Sequence, residues 1–85
     1  MKSEDLLIKI GSNIRKFRKE KNLSIESLAL ICSINTNYLG DLERGRRNPT
    51  ISILNKVCLG LNINLKQLFD WFFFFYILKI FQKSS

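Results

Sequence analysis

The stretch SIESLALICSINTNYLGDLERG, residues 24–45, holds two short helical patterns separated by a tight turn. Ser24 precedes an apolar-rich segment, Ile25 to Cys32, and its hydroxyl suits the N-cap of a helix whose Leu28, Ala29 and Ile31 are expected to point inward. Ser33, Ile34 and Asn35 read as the turn. Asn35 or Thr36 then opens a second helix running to about Arg44, with Leu39 and Leu42 on its buried side and Gly45 as its C-terminal stop. Two helices packed across so short a turn project the second one outward, away from the core.

Upstream, Leu6, Leu7, Ile10, Ile14 and Phe17 recur every three or four residues, which is one face of an amphipathic helix from Ser3 to Lys21. Glu4 and Asp5 in its first turn and Lys19 and Lys21 in its last follow the charge order that a helix dipole favours. Downstream, Arg46, Arg47, Asn48 and Pro49 form a basic loop. Thr50 marks the start of a fourth helix carrying Ile51, Leu54, Val57, Cys58 and Leu61, which Asn62 ends. Asn64 caps a fifth, expected to run from Leu65 through Phe69 and on to Leu78. The fold class expected is all-α.

Fourteen Lys and Arg against seven Asp and Glu give the 85-residue chain a net charge of +7, which draws polyanions by long-range attraction and counterion release. Nucleic acid and an acidic membrane surface are the partners this charge suits, although solubility alone also produces basic proteins. Histidine is absent, and Cys32 and Cys58 stand apart within apolar stretches, so no zinc constellation is expected and both thiols read as core. No Gly-rich phosphate loop, acid–base pair or nucleophile with a base is visible, which argues against an enzyme. The acidic start and the lack of an apolar leader place the chain in reducing cytoplasm, without disulfides.

Leu23, Ser24, Glu26, Leu28, Ala29, Ile34, Tyr38, Leu39, the run Leu42–Glu43–Arg44–Gly45, the run Asn48–Pro49–Thr50, Leu54, the run Leu61–Asn62–Ile63, Leu65, Leu68 and Phe69 stand at the spacing of a known family. Over about Ile10 to Phe69 the chain closely resembles the Cro/C1-type (XRE) helix-turn-helix proteins. That resemblance implies a five-helix, lambda-repressor-like domain over residues 1–69 and a double-stranded DNA partner. The third helix would enter the major groove, with Thr36, Asn37 and Asp41 at the base-contacting positions. Asn37 suits adenine, Thr36 a hydroxyl or methyl contact, and Asp41, an acceptor only, a cytosine amino group; the alternative for Asp41 is a purely solvating role. Ser24, Asn35, Tyr38, Arg46, Arg47 and Asn48 match positions for phosphate or sugar contact, with partial core packing the other reading of Tyr38 and simple solvation that of the basic loop. Arg18 and Glu43 match a structural ion pair. Where the family usually has Gln at the start of the second helix, contacting phosphate, Ile25 stands here and lacks those donors.

Residues 70–85 are read as an aromatic-rich extension. Its uninterrupted apolar run, Trp71 to Leu78, is too short to span a bilayer, and Asp70 and Lys79 flank it. Trp71, Phe74, Phe75 and Leu78 lie on a face needing a partner, for which homodimerisation is the economical reading. In size and layout the chain resembles the restriction-modification controller branch of the family, which implies a dimeric transcriptional regulator on a palindromic operator, possessing no cofactor or metal and suited to autoregulation. Two competing roles for the tail are an antitoxin-type grip on a toxin chain and attachment to a membrane surface.

Overall fold

The computed structural model describes residues 3–69 as five helices: α1 (Ser3–Glu20), α2 (Ile25–Cys32), α3 (Thr36–Glu43), α4 (Ile51–Leu61) and α5 (Leu65–Leu68). Each helix from α2 onward begins on a side chain that satisfies amide groups the helix itself leaves bare. Ser24 Oγ accepts from the Ser27 amide at 3.0 Å, and Thr50 Oγ1 from that of Ile53 at 3.1 Å. Asn35 Oδ1 accepts from both Asn37 and Tyr38, at 2.8 and 3.1 Å. Asn64 and Gln67 form a reciprocal capping box.

The helix ends are equally defined. Ser33 and Asn62 close α2 and α4 in the left-handed region, at φ 57° and 56°, and the following amides, of Ile34 and Ile63, reach back to Ala29 and Cys58. Gly45 leaves α3 at φ 77°, and a Cβ there would sit 2.8 Å from the Cα of Ile8, so both conformation and space call for glycine.

The core is one cluster in which Ile10 and Ile14 of α1 meet Leu28, Ala29 and Cys32 of α2, Leu39 and Leu42 of α3, Leu54, Val57, Cys58 and Leu61 of α4, and Leu68 of α5. Leu6 and Phe17 pack against its edge. α3 is held between α1 and α2, while α4 closes the other side of α2. Gly11 makes the α1–α3 approach possible: a Cβ there would overlap the Leu42 carbonyl oxygen and lie 2.6 Å from that of Glu43.

Two expectations need correction. Ile31 does not point inward but is 54% exposed, because Leu28, Ala29 and Cys32 already fill the buried stripe of an eight-residue helix. α5 ends at Leu68 instead of continuing: Phe69 leaves helical geometry at φ −89°, ψ 81°, and the Leu68 carbonyl, which a longer helix would use, accepts from the buried Asn13 Nδ2 at 2.7 Å. Trp71, Phe74, Phe75 and Leu78 lie outside the described residues.

Candidate nucleic-acid interface

α3 is a helix with two different sides. Leu39 and Leu42 are fully buried, whereas Asn37 is exposed and Thr36 and Asp41 are partly exposed. Asn37 and Asp41, four residues apart, project from one face, and Thr36 stands at the first helical position beside them. The amide of Asn37 and the carboxylate of Asp41 thus lie one turn apart on an outward ridge, offering donors and acceptors in a row.

The orientation of that ridge is set from behind by Arg18 and Glu43. Arg18 Nε and Nη2 donate to the two carboxylate oxygens of Glu43 at 2.7 and 3.0 Å, a fork-to-fork pair, and Nη1 donates to the Leu23 carbonyl at 2.9 Å. The side chains are only 12% and 6% exposed. The hydrogen bond to Glu43 raises the Arg18 pKa beyond its already high value, so the guanidinium keeps its charge. The structural ion pair that the resemblance implies is formed.

Around the ridge the charges are linked. Asp41 Oδ1 receives Arg44 Nη1 at 3.4 Å, and its Oδ2 lies 3.6 Å from Arg47 Nε. The Arg47 guanidinium also lies over the Tyr38 ring, 5.4 Å from its centroid. Tyr38 packs against the core as well, so its ring is half core and half platform for the loop arginine. Asp41 therefore does not simply solvate the helix: it gathers two arginines, neither of which sequence reasoning assigned to it. The Arg44 link has the i,i+3 spacing that a helix provides and was visible in principle; the Arg47 link depends on how the loop after Gly45 folds back.

Arg46, Arg47 and Asn48 are exposed on that loop. Ser24 and Asn35 are exposed too, but their side-chain oxygens serve as helix caps, and the Ser24 hydroxyl also pairs with Ser27 Oγ at 2.8 Å. What Asn35 keeps for a ligand is its Nδ2 group. Ile25, at the start of α2, is half-buried and packs against the core edge. Asn13, which sequence reasoning passed over, is buried and binds α5 by its amide; it has no part in this face.

Burial raises the pKa of the Cys32 and Cys58 thiols, as expected of core residues, and both are free. Among the described residues no group of acidic, Cys or His side chains is placed to hold a metal ion, and no helix is long and apolar enough to cross a membrane.

Residues 14–68 match the helix-turn-helix family model HTH_3. The control protein C.MunI of Mycoplasma sp is 39% identical over 67 residues, covering 78% of this chain and 90% of that protein. The crystal structure of the restriction-modification controller protein C.AhdI from Aeromonas hydrophila superposes with a TM-score of 0.73 at 36% identity, over 74% of this chain and 96% of that one. The controller protein C.Esp1396I, solved as a tetramer in complex with its natural 35-base-pair operator, superposes at 0.67 with 34% identity, over 87% and 91% of the two chains. With a five-helix lambda-repressor-like domain and an outward, arginine-flanked α3, the chain belongs to the Cro/C1-type (XRE) helix-turn-helix family of DNA-binding transcriptional regulators, a non-enzymatic family in which its relatives include restriction-modification controller proteins.

Proposed function

We propose that the chain acts as a homodimer on a two-fold symmetric operator, inserting α3 of each subunit into the major groove and regulating its own promoter. The observation that carries this reading is the outward ridge of α3, where Asn37 and Asp41 stand one turn apart and the exposed Arg44, Arg46 and Arg47 border them. Thr36, Asn37 and Asp41 read base edges. Tyr38, Arg46, Arg47 and Asn48 hold phosphate or sugar, joined by Ser24 and by the free amide of Asn35. Because Asp41 is shared by two arginines in the free protein, its use on a base amino group requires them to move to the backbone.

Residues 1–69 form the DNA-binding unit in this reading, and residues 70–85 the dimerisation element, with Trp71, Phe74, Phe75 and Leu78 at the subunit contact. Occupancy in this reading follows protein concentration through dimerisation. The operator-bound assembly of C.Esp1396I supports multimeric binding as the working arrangement.

Selection of bound sequences from a random duplex pool tests the first half: a recovered inverted repeat supports it, and a recovered pool without symmetry refutes it. Analytical ultracentrifugation tests the second. The Phe74→Glu/Leu78→Lys variant should shift from dimer to monomer and lose operator affinity severely, since each half-site is then held alone. A parent that is monomeric at operator-saturating concentration sinks the dimer, and partitioning of that parent onto anionic vesicles would assign the tail to a membrane surface.

A further inference from the structure

α3 carries two acids, Asp41 and Glu43, and they are held in opposite ways. Glu43 is clamped at 2.7 Å by an arginine almost as buried as itself. Asp41 meets Arg44 at 3.4 Å and Arg47 at 3.6 Å, and those arginine side chains are 58% and 53% exposed. Contacts so long and so wet contribute little one by one and exchange readily for a stronger partner. A duplex is such a partner, with one negative charge every ~1.7 Å of its axis. The second hold on Arg47, the face of the Tyr38 ring at 5.4 Å, lets it turn away without breaking a hydrogen bond.

Once both guanidinium groups turn to the duplex, the Asp41 carboxylate is left bare, one turn from Asn37 and against the base edges. An ionised carboxylate only accepts. In the major groove cytosine and adenine each offer an amino group, whereas guanine presents two acceptors and thymine an acceptor and a methyl. Against the first two the carboxylate finds a donor. Against the others it is desolvated, unpaired and close to like partial charges, which weakens binding. The chain path does not depend on this exchange, because the Asp41 carbonyl, not its side chain, accepts the Arg46 and Arg44 amides at 2.9 and 3.2 Å.

We propose that Asp41 selects by rejection. In the free protein it holds Arg44 and Arg47, so surrendering them weakens binding to every duplex, and the loss is recovered only where a base amino group meets the carboxylate. The inference rests on the reading of α3 as the duplex-facing helix and adds to it the sign of one residue. A selective residue such as Asn37 adds affinity at one base pair and is silent elsewhere. Asp41 instead subtracts affinity from all sequences but those with cytosine or adenine before it, which is discrimination built from a repulsive element.

The test uses the full chain, a fluorescent random-sequence duplex, and the duplex that the parent selects from a random pool. Asp41→Asn, equal in shape and uncharged, should bind the random duplex about 5-fold more tightly than the parent at ~50 mM salt, the worth of two exposed ion pairs. The gain should shrink toward ~200 mM as those pairs are screened. On the selected duplex the gain should be absent, and a pool reselected with the variant should become degenerate at one position per half-site. Asp41→Ser should behave alike, which separates the effect from contacts of the new amide. Glu20→Gln, which removes the same charge from the exposed end of α1, should gain less than about 2-fold. Far-ultraviolet circular dichroism confirms that each variant is folded. A random-duplex affinity unchanged or lowered in both Asp41 variants overturns the proposal, as does a gain that Glu20→Gln matches or one of equal size on the two duplexes. Those results leave α3 as the reading helix, whereas a parent that binds no duplex overturns that reading too.

Discussion

Removing the Glu43 carboxylate should do more damage than any change on the exposed face of the domain. In Glu43→Ala the Arg18 guanidinium stays largely buried, loses both hydrogen bonds of 2.7 and 3.0 Å, and keeps only the Leu23 carbonyl. Breaking a buried pair from one side costs roughly 3–5 kcal/mol, and the residual 12% exposure of the Arg18 side chain, which admits water, puts the loss at the lower end, about 3 kcal/mol. A domain of this size holds ~5–10 kcal/mol in total, and its melting temperature should fall by about 12–24 °C. Urea titration followed by circular dichroism measures the loss as a shift in midpoint at constant slope. Arg18→Met/Glu43→Leu, which removes both charges and keeps apolar volume, should return to within ~1 kcal/mol of the parent, since the desolvation of both ions is then avoided. A Glu43→Ala loss under ~1 kcal/mol, or a double variant as unstable as the sum of its singles, would refute the reasoning.

Replacing Arg46 and Arg47 together by Ala should weaken binding to operator and random duplexes alike and reduce the salt slope by up to about two contacts' worth, as titration at several salt concentrations would show. Asn37→Ala should instead cost ~1–3 kcal/mol at one base pair per half-site while sparing random DNA, and equal losses on both would remove Asn37 from the reading face. Gly11→Ala should destabilise the domain severely, since the new methyl meets backbone carbonyls of α3 rather than movable side chains; an unchanged urea midpoint would contradict the close approach. Burial raises the Cys32 and Cys58 pKa values, so their contribution to stability is intact below the unfolded thiol value of ~8.5 and declines as pH rises through the higher folded values. Midpoints that stay constant from neutral to strongly alkaline pH in the parent would argue against this.

The helix starts were legible because a cap is local chemistry: Ser24, Thr50 and Asn64 each bond an amide three residues ahead, so the signal and its partner lie in one short window. The run Leu28–Cys32 was harder. Leu30 and Ile31 are as apolar as the core residues beside them, and an eight-residue segment has too few turns for periodicity to show which side faces inward. The end of α5 was hidden for a different reason, since it coincides with a hydrogen bond from Asn13, which is distant in sequence. On the outward side of α3, Thr36, Asn37 and Asp41 are singled out by the resemblance alone, and so is the pairing of Arg18 with Glu43, which the structure forms. The Asp41–Arg47 link and the stacking of Arg47 on Tyr38 are not singled out by it, because both depend on the path of a loop that no residue pattern encodes.

Glu43 is gripped twice by α1: Gly11 lies against its backbone carbonyl, and Arg18 holds its side chain. Those two positions are seven residues apart, or ~10 Å along one side of α1. Asn35 fastens the other end of α3 through two amides. Anchored at both ends, the helix has little conformational freedom left to surrender when it docks, so the ordering entropy of association falls mainly on the basic loop and on side chains such as Asn37. Variants that loosen either anchor should therefore show a more favourable binding enthalpy opposed by a larger entropic loss, even where the net affinity hardly moves.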